Sequence, residues 1–168
     1  MALHWAVAVL VLALLAIGWY MADLPEGPER SSFIRLHKTL GISVFLLMLA
    51  RVGWRLAHRP PPLAGVPDWQ ARMARINHRL LYLALFVQPL SGYLSSSFSG
   101  YGTKYFGLEL PNWGWKDEAL NGIFNTVHRY SALVLASLIL LHFLGALTHL
   151  LVYRDTVMQR ILPGHRRG

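Results

Sequence analysis

The stretch NTVHRYSALVLASLILLHFLGALTH, Asn125 to His149, is where the fold of this chain is decided. From Tyr130 to Leu151 it holds no Asp, Glu, Lys or Arg, and a bilayer core of about 30 Å needs ~20 such residues in a helix. Read as a helix, it places His128 and His142 fourteen residues apart, about 40° short of four full turns, so both rings stand on one face. Their separation along the axis is roughly 21 Å at 1.5 Å per residue. One ring then lies near one membrane surface and the other near or past the midplane. Ionisable side chains inside a span are costly and are functional candidates by default.

Working outward, Trp5 to Ala22, Ile42 to Ala50 and Leu80 to Phe98 are also apolar and almost free of charge. The second becomes long enough when Phe33 to Ala57 is counted, with Arg35, Lys38, Arg51 and Arg55 near its ends, where basic stems can snorkel. The expected architecture is an all-α integral membrane protein, an antiparallel bundle of four transmembrane helices in one domain. The spans fall at about 4–22, 33–57, 77–98 and 122–152. The first is read as a span and not as a signal peptide, because it has no basic leader and no A-x-A-like site and exceeds the usual 7 to 15 apolar residues. Gly92, Gly122 and Gly145 suit close helix packing, and Pro89 is expected to bend the third helix.

Composition agrees. The 168 residues are 54% hydrophobic and 14% charged, against roughly 25% charge in soluble domains, which argues against an ordinary soluble enzyme. With no cysteine, iron–sulfur clusters, thiolate zinc sites, c-type haem and cysteine nucleophiles are excluded. The net charge of +8 could signal nucleic acid or an anionic membrane face, and its placement decides for the membrane. Segment 58–76 and tail 153–168 are basic, whereas the connector from Asp23 to Ser32 and loop 99–121 are not. On this assignment ten basic residues and two acids lie on one side, six of each on the other. By the positive-inside rule, the middle loop and both termini face the cytoplasm, loop 99–121 faces the periplasm, and no nucleic-acid partner is called for. Pro60, Pro61 and Pro62 form a stiff link, and Arg72, Arg75 and Arg79 run along anionic headgroups. The outer loop is rich in Tyr101, Tyr105, Trp113 and Trp115, a functional loop or an aromatic belt.

Two histidines stacked on one helix face could each give one axial ligand to a different haem, with partners at matching depths on other helices. Depth pairs His37 with His128 in the outer half and His4 with His142 in the inner half. Two bis-histidine b haems in a four-helix bundle are the chemistry this permits. At the inner level His149 and His78 remain alternative partners. His58 and His165 read as solvated. Arg51 follows His37 by fourteen residues, on the same face at the inner level, where a cation could meet a haem propionate or a quinone headgroup. Arg35, Lys38 and Arg129 flank the outer pair, as propionate contacts or as a cationic rim that draws in a small anion.

With these residues in view, the chain resembles the bacterial di-haem cytochrome b561 family over nearly its whole length. The matching segments are His4-Trp5; His37-Lys38-Thr39-Leu40-Gly41 running to Arg51, Trp54-Arg55 and Pro60-Pro61-Pro62-Leu63; Pro89-Leu90-Ser91-Gly92-Tyr93-Leu94; His128 and His142; and Arg154-Asp155 with Leu162-Pro163. The resemblance implies two non-covalent b haems, with His4 and His142 as axial iron ligands on the inner one and His37 and His128 on the outer one. It implies a bacterial inner-membrane cytochrome that moves electrons to ubiquinone. The small free-standing members look like superoxide oxidases, and related cytochromes anchor hydrogenases or other dehydrogenases, passing electrons from a periplasmic redox protein. His78 and His149 fall where the family has further histidines on the quinone side. Two departures stand out: three residues precede His4 where the family usually has a basic leader, so that either Met1 is a late start or the inner haem is unusually exposed, and His149 is followed by Leu150 instead of a second histidine. A cofactor-free transporter or structural membrane protein is the reading of another class.

Overall fold

The computed structural model describes residues 1–58 and 66–155. The Pro60–Pro62 link, His165, and the Leu162-Pro163 match lie outside the described residues. Four long helices, α1 (Ala2–Asp23), α2 (Pro28–Ala57), α3 (Asp68–Phe98) and α4 (Glu118–Thr148), follow one another, with strands β1 (Thr103–Tyr105) and β2 (Leu108–Leu110) between the last two.

The helix ends follow from local chemistry. Pro25 holds Leu24 in extended backbone, ψ 140°, because the residue before a proline disfavours the helical region. Pro28 then opens α2 at its first turn, where a missing N–H costs nothing. Asp117 caps α4, its carboxylate accepting from the Leu120 N–H at 3.0 Å, as N-cap side chains do. Beyond Thr148 the helix loosens into a single π turn, His149–Tyr153, which ends at Arg154 in left-handed backbone with φ 49°.

Helices α1, α2 and α4 with its π turn are long and apolar enough to cross a membrane. Helix α3 is as long, but it carries Arg72, Arg75, Arg79, Gln88 and Ser95 to Ser97, and among the described residues it does not reach that apolarity. Its polar groups turn to the neighbouring elements: Gln88 and Ser91 to α4, Ser96 to β1. Pro89 sits inside α3, which continues through it to Phe98.

Helix α3 packs mainly on α4, and α1 on α2, with α2 closing against α3. The shared core is a narrow cluster of Val7, Val11, Val44, Met48, Ala84, Leu135 and Leu138. Counted from His37, Val44 and Met48 stand seven and eleven residues on; counted from His128, Leu135 and Leu138 stand seven and ten on. These offsets keep them on the histidine faces, so the core forms a waist between an outer and an inner level. Outward, Val9, Leu12, Leu83, Leu140, Leu141 and Phe143 are exposed. Apolar exposure on this scale belongs to a membrane surface.

The outer loop contains an element the sequence patterning does not announce, a two-stranded antiparallel hairpin pairing Thr103 with Leu110, Lys104 with Glu109 and Tyr105 with Leu108. Its turn is Phe106 and Gly107, with φ 47° and 89°, the double left-handed geometry that matches strand twist. Phenylalanine is a poor predictor of that conformation, which is why the turn was hard to read.

Candidate functional site

At the outer level α1, α2, α3 and α4 bring His37 and His128 together, ring centroids 6.0 Å apart and planes nearly perpendicular at 83°. Each ring is seated against a glycine of a neighbouring helix. A methyl group on Gly92 would stand 2.9 Å from Cε1 of His128, and one on Gly18 3.3 Å from Cε1 of His37. The His128 ring is also aimed: its Nδ1 lies 2.8 Å from the Gln88 carbonyl. With Nδ1–H donating there, the lone pair falls on Nε2, the arrangement that orients metal-binding histidines. Around it, Ser131 donates to the Gln88 amide oxygen and Ser91 stands 3.4 Å from Nδ1. His37 differs, because its Nδ1 is buried with no hydrogen-bond partner. A buried nitrogen left unmatched costs about 1–3 kcal/mol, and among the described residues no group pairs with this one.

These rings border a cavity of about 900 Å³ that reaches from Val11 and Leu135 at the waist to Tyr101 and Thr103 under the hairpin. It is at the upper end of cofactor-sized sites, about 300–1,000 Å³. Lys38 and Arg129 line it, and so does Arg30. Arg35 does not; it donates to Ser32 at 2.8 Å. Lys38 is committed to the loop, its ammonium donating to the Gly102 carbonyl at 2.8 Å.

At the inner level three histidines converge. His142 stands 6.2 Å from His4 with planes at 76°, and 5.1 Å from His78 at 64°. The three line a smaller cavity of about 130 Å³ with Arg51 and Tyr82. Arg51 Nε donates to the Tyr82 hydroxyl at 3.1 Å, and the Arg51 and Arg55 guanidinium carbons lie 5.5 and 5.6 Å from the Tyr82 ring centre. His149 does not join them. It stands in the π turn with Nδ1 2.6 Å from the Asp155 carboxylate and against the Tyr153 ring, outside the lining of the inner cavity. His58 stacks on Trp54 at 4.0 Å.

Sequence reasoning missed Arg30, Gly18, Gln88 and Tyr82. Tyr82 could have been found, since it follows His78 by four residues and shares its face. Gly18 is the single glycine of α1, and the ring it would face is on another helix, which the sequence of α1 does not record. The role of the Gln88 carbonyl is a backbone contact between helices, which no residue pattern encodes.

Paired histidines at two levels of an apolar helix bundle define a class, membrane-embedded cytochromes that carry electrons. Residues 1–164 match the family described as prokaryotic cytochrome b561, and the chain belongs to that family, whose cofactor is b-type haem. It is 31% identical to cytochrome b561 homolog 2 of Escherichia coli (strain K12), over 96% of this chain and 87% of that one. To cytochrome b561 homolog 1 of the same organism it is 27% identical, over 96% and 93%. It is 29% identical to the probable superoxide oxidase CybB of Yersinia pestis, over 98% and 93%. The protein is thus a membrane electron carrier of the cytochrome b561 family.

Proposed function

We propose that this cytochrome holds two b haems, His37 with His128 on the outer one and His4 with His142 on the inner one, and carries electrons across a bacterial inner membrane from a periplasmic donor to ubiquinone. The observation that carries this reading is a distance. If a metal ion were held between two imidazoles at about the 2.0–2.1 Å of a metal–imidazole bond, the rings would need to stand roughly 6 Å apart, as the pairs at 6.0 and 6.2 Å do and as His78 and His142 at 5.1 Å do not. The outer cavity volume, the glycine seats and the unpartnered His37 nitrogen also fit a haem. At the inner level the fit rests on the ligand set and on Arg51 beside it.

When bound, the haem irons supply one-electron redox chemistry. The chain supplies the rest. Gln88 fixes the His128 tautomer, the apolar waist excludes water between the two levels, and α4 spaces them by roughly 21 Å along its axis. Helix α3 completes the bundle as a fourth span, its polar groups turned inward, and both termini face the cytoplasm. Arg51, held by Tyr82 and close to His78, offers a cation to a propionate or a quinone headgroup; His149, paired with Asp155, lies outside the lining of the cavity they share.

The donor we favour is superoxide, by analogy with the probable superoxide oxidase of Yersinia pestis and because Arg30, Lys38 and Arg129 line the outer cavity. Each superoxide gives up one electron and leaves as dioxygen; two electrons and two protons convert ubiquinone to ubiquinol. The test is the haem-to-protein ratio with a reduced-minus-oxidised spectrum. Two haems per chain are expected, and His128→Ala and His142→Ala should each remove one. One haem or none in the parent protein overturns the scheme. A soluble subunit that co-purifies, without superoxide consumption by the isolated chain, would mark a dehydrogenase anchor instead.

A further inference from the structure

The β1–β2 hairpin presents an exposed apolar tip that neither haem level uses, with Phe106 75% and Leu108 71% exposed. We propose that this tip is an interfacial anchor, seated in the outer leaflet of the bilayer at the polar–apolar boundary. The inference rests on the membrane placement of α2 given above.

Three observations carry it. First, the hairpin has a direction. Lys38 donates to the Gly102 carbonyl at 2.8 Å, Thr39 to the Lys104 carbonyl at 3.5 Å, and Ser43 meets the Tyr105 hydroxyl at 3.4 Å. Strand β1 therefore runs along α2 in the same sense as α2 itself, and the turn points from the His37 level toward the waist, with Thr39 to Ser43 spanning about 6 Å of axis. The buried Thr103 hydroxyl, bonded to Ser96 at 2.8 Å, pins the other end of the strand to the bundle.

Second, the hairpin is layered. Lys104 and Glu109 pair at 2.9 Å, well exposed, one residue behind the tip on the face away from α2. Charged groups set back from an apolar, aromatic tip match the water-to-lipid gradient of an interface. Third, the tip continues a lipid-facing surface. Leu46, one turn beyond Ser43 on α2, and Leu49 are both about half exposed, at 47% and 48%. A bulky phenylalanine held at φ 47° is an outlier for its type; glycine would suit that backbone better, so its presence points to its side chain.

The chain lacks cysteine, so single-cysteine variants can be spin-labelled without background. In proteoliposomes, labels on Phe106→Cys and Leu108→Cys should collide more with dissolved oxygen than with a water-soluble nickel chelate. A label on Tyr101→Cys, at a position 90% exposed, should show the opposite ratio, and one on Leu46→Cys the lipid ratio. If Leu46 reads lipid while both tip positions read water, the anchor is wrong and the placement of α2 stands. If Leu46 also reads water, the placement itself fails. Tip labels shielded from both reagents would mean a protein surface covers the hairpin and would equally overturn the proposal. The two tip positions guard against one variant failing to fold.

Discussion

At the scale of single residues, the outer histidine pair depends on what is missing beside it. Gly92 leaves room for the His128 ring, and a Cβ there would approach Cε1 to 2.9 Å, while the Gln88 carbonyl prevents the ring from simply swinging aside. Gly92→Ala is therefore expected to overpack the outer level by about 1–3 kcal/mol and to deplete one haem band selectively. Gly18→Ala, at 3.3 Å from His37, should do so less. A spectrum with both bands intact in Gly92→Ala would count against this seating. At the inner level the relevant residue is Arg51, a fixed cation lining the cavity of His4, His78 and His142. Positive charge nearby favours the more electron-rich redox state, so Arg51→Gln should lower one of two midpoint potentials and leave the other nearly unchanged. A spectroelectrochemical titration checks it, and equal shifts of both would show that the charge is not local.

At the scale of elements, the hairpin and the end of α4 are where the chain departs from plain helices. The Lys104 ammonium bonds the Glu109 carboxylate and holds its carboxyl below the usual range, first through that hydrogen bond and then through charge. A depressed folded pKa means the pair supports the hairpin above the ordinary glutamate pKa and loses that support as pH falls through the lowered value. The pair is exposed and screened, so the effect is expected to be small and confined to the hairpin. Hydrogen exchange at Tyr105 and Leu108 should quicken in acid while the helices stay protected. Lys104→Gln should abolish that pH dependence; if it does not, another group titrates there. The packing of Gly114 against Phe98, where a Cβ would lie 2.3 Å from Cε1, means that Gly114→Ala should displace the Phe98 ring and disturb the loop.

At the scale of the molecule, the waist of Val7, Val11, Val44, Met48, Ala84, Leu135 and Leu138 divides the bundle into two levels. On the proposed topology, with both termini and the middle loop inside, a cysteine at Arg72 should react with an impermeant maleimide only from the cytoplasmic face, and one at Lys116 only from the periplasmic face. Labelling of both from the same side would remove α3 as a fourth span, which matters because α3 is the helix whose composition falls short of a membrane segment. In sequence α3 looked apolar from Leu80 onward, and only the bundle reveals that Gln88, Ser91 and Ser96 are turned to partners on α4 and β1. The helices, the two levels and the meeting of His37 with His128 were legible beforehand, because helical period and chain direction fix the face and depth of each ring, whereas His4 as the partner of His142 came only from the family resemblance. Depth alone could not rank His4, His78 and His149 at the inner level.

By itself, then, the sequence determined the apolar helical bundle, the absence of thiolate chemistry and the two levels at which histidines face inward, because hydropathy and the 3.6-residue period act along a single helix. Only the tertiary structure decided that His149 turns away to Asp155, that Lys38 is tied to Gly102 while Arg30 lines the outer cavity, that the Gln88 carbonyl meets Nδ1 of His128, and that a hairpin lies along α2. Each of these is a contact between elements far apart in the chain, settled by side-chain shape and backbone hydrogen bonding, which no periodicity records.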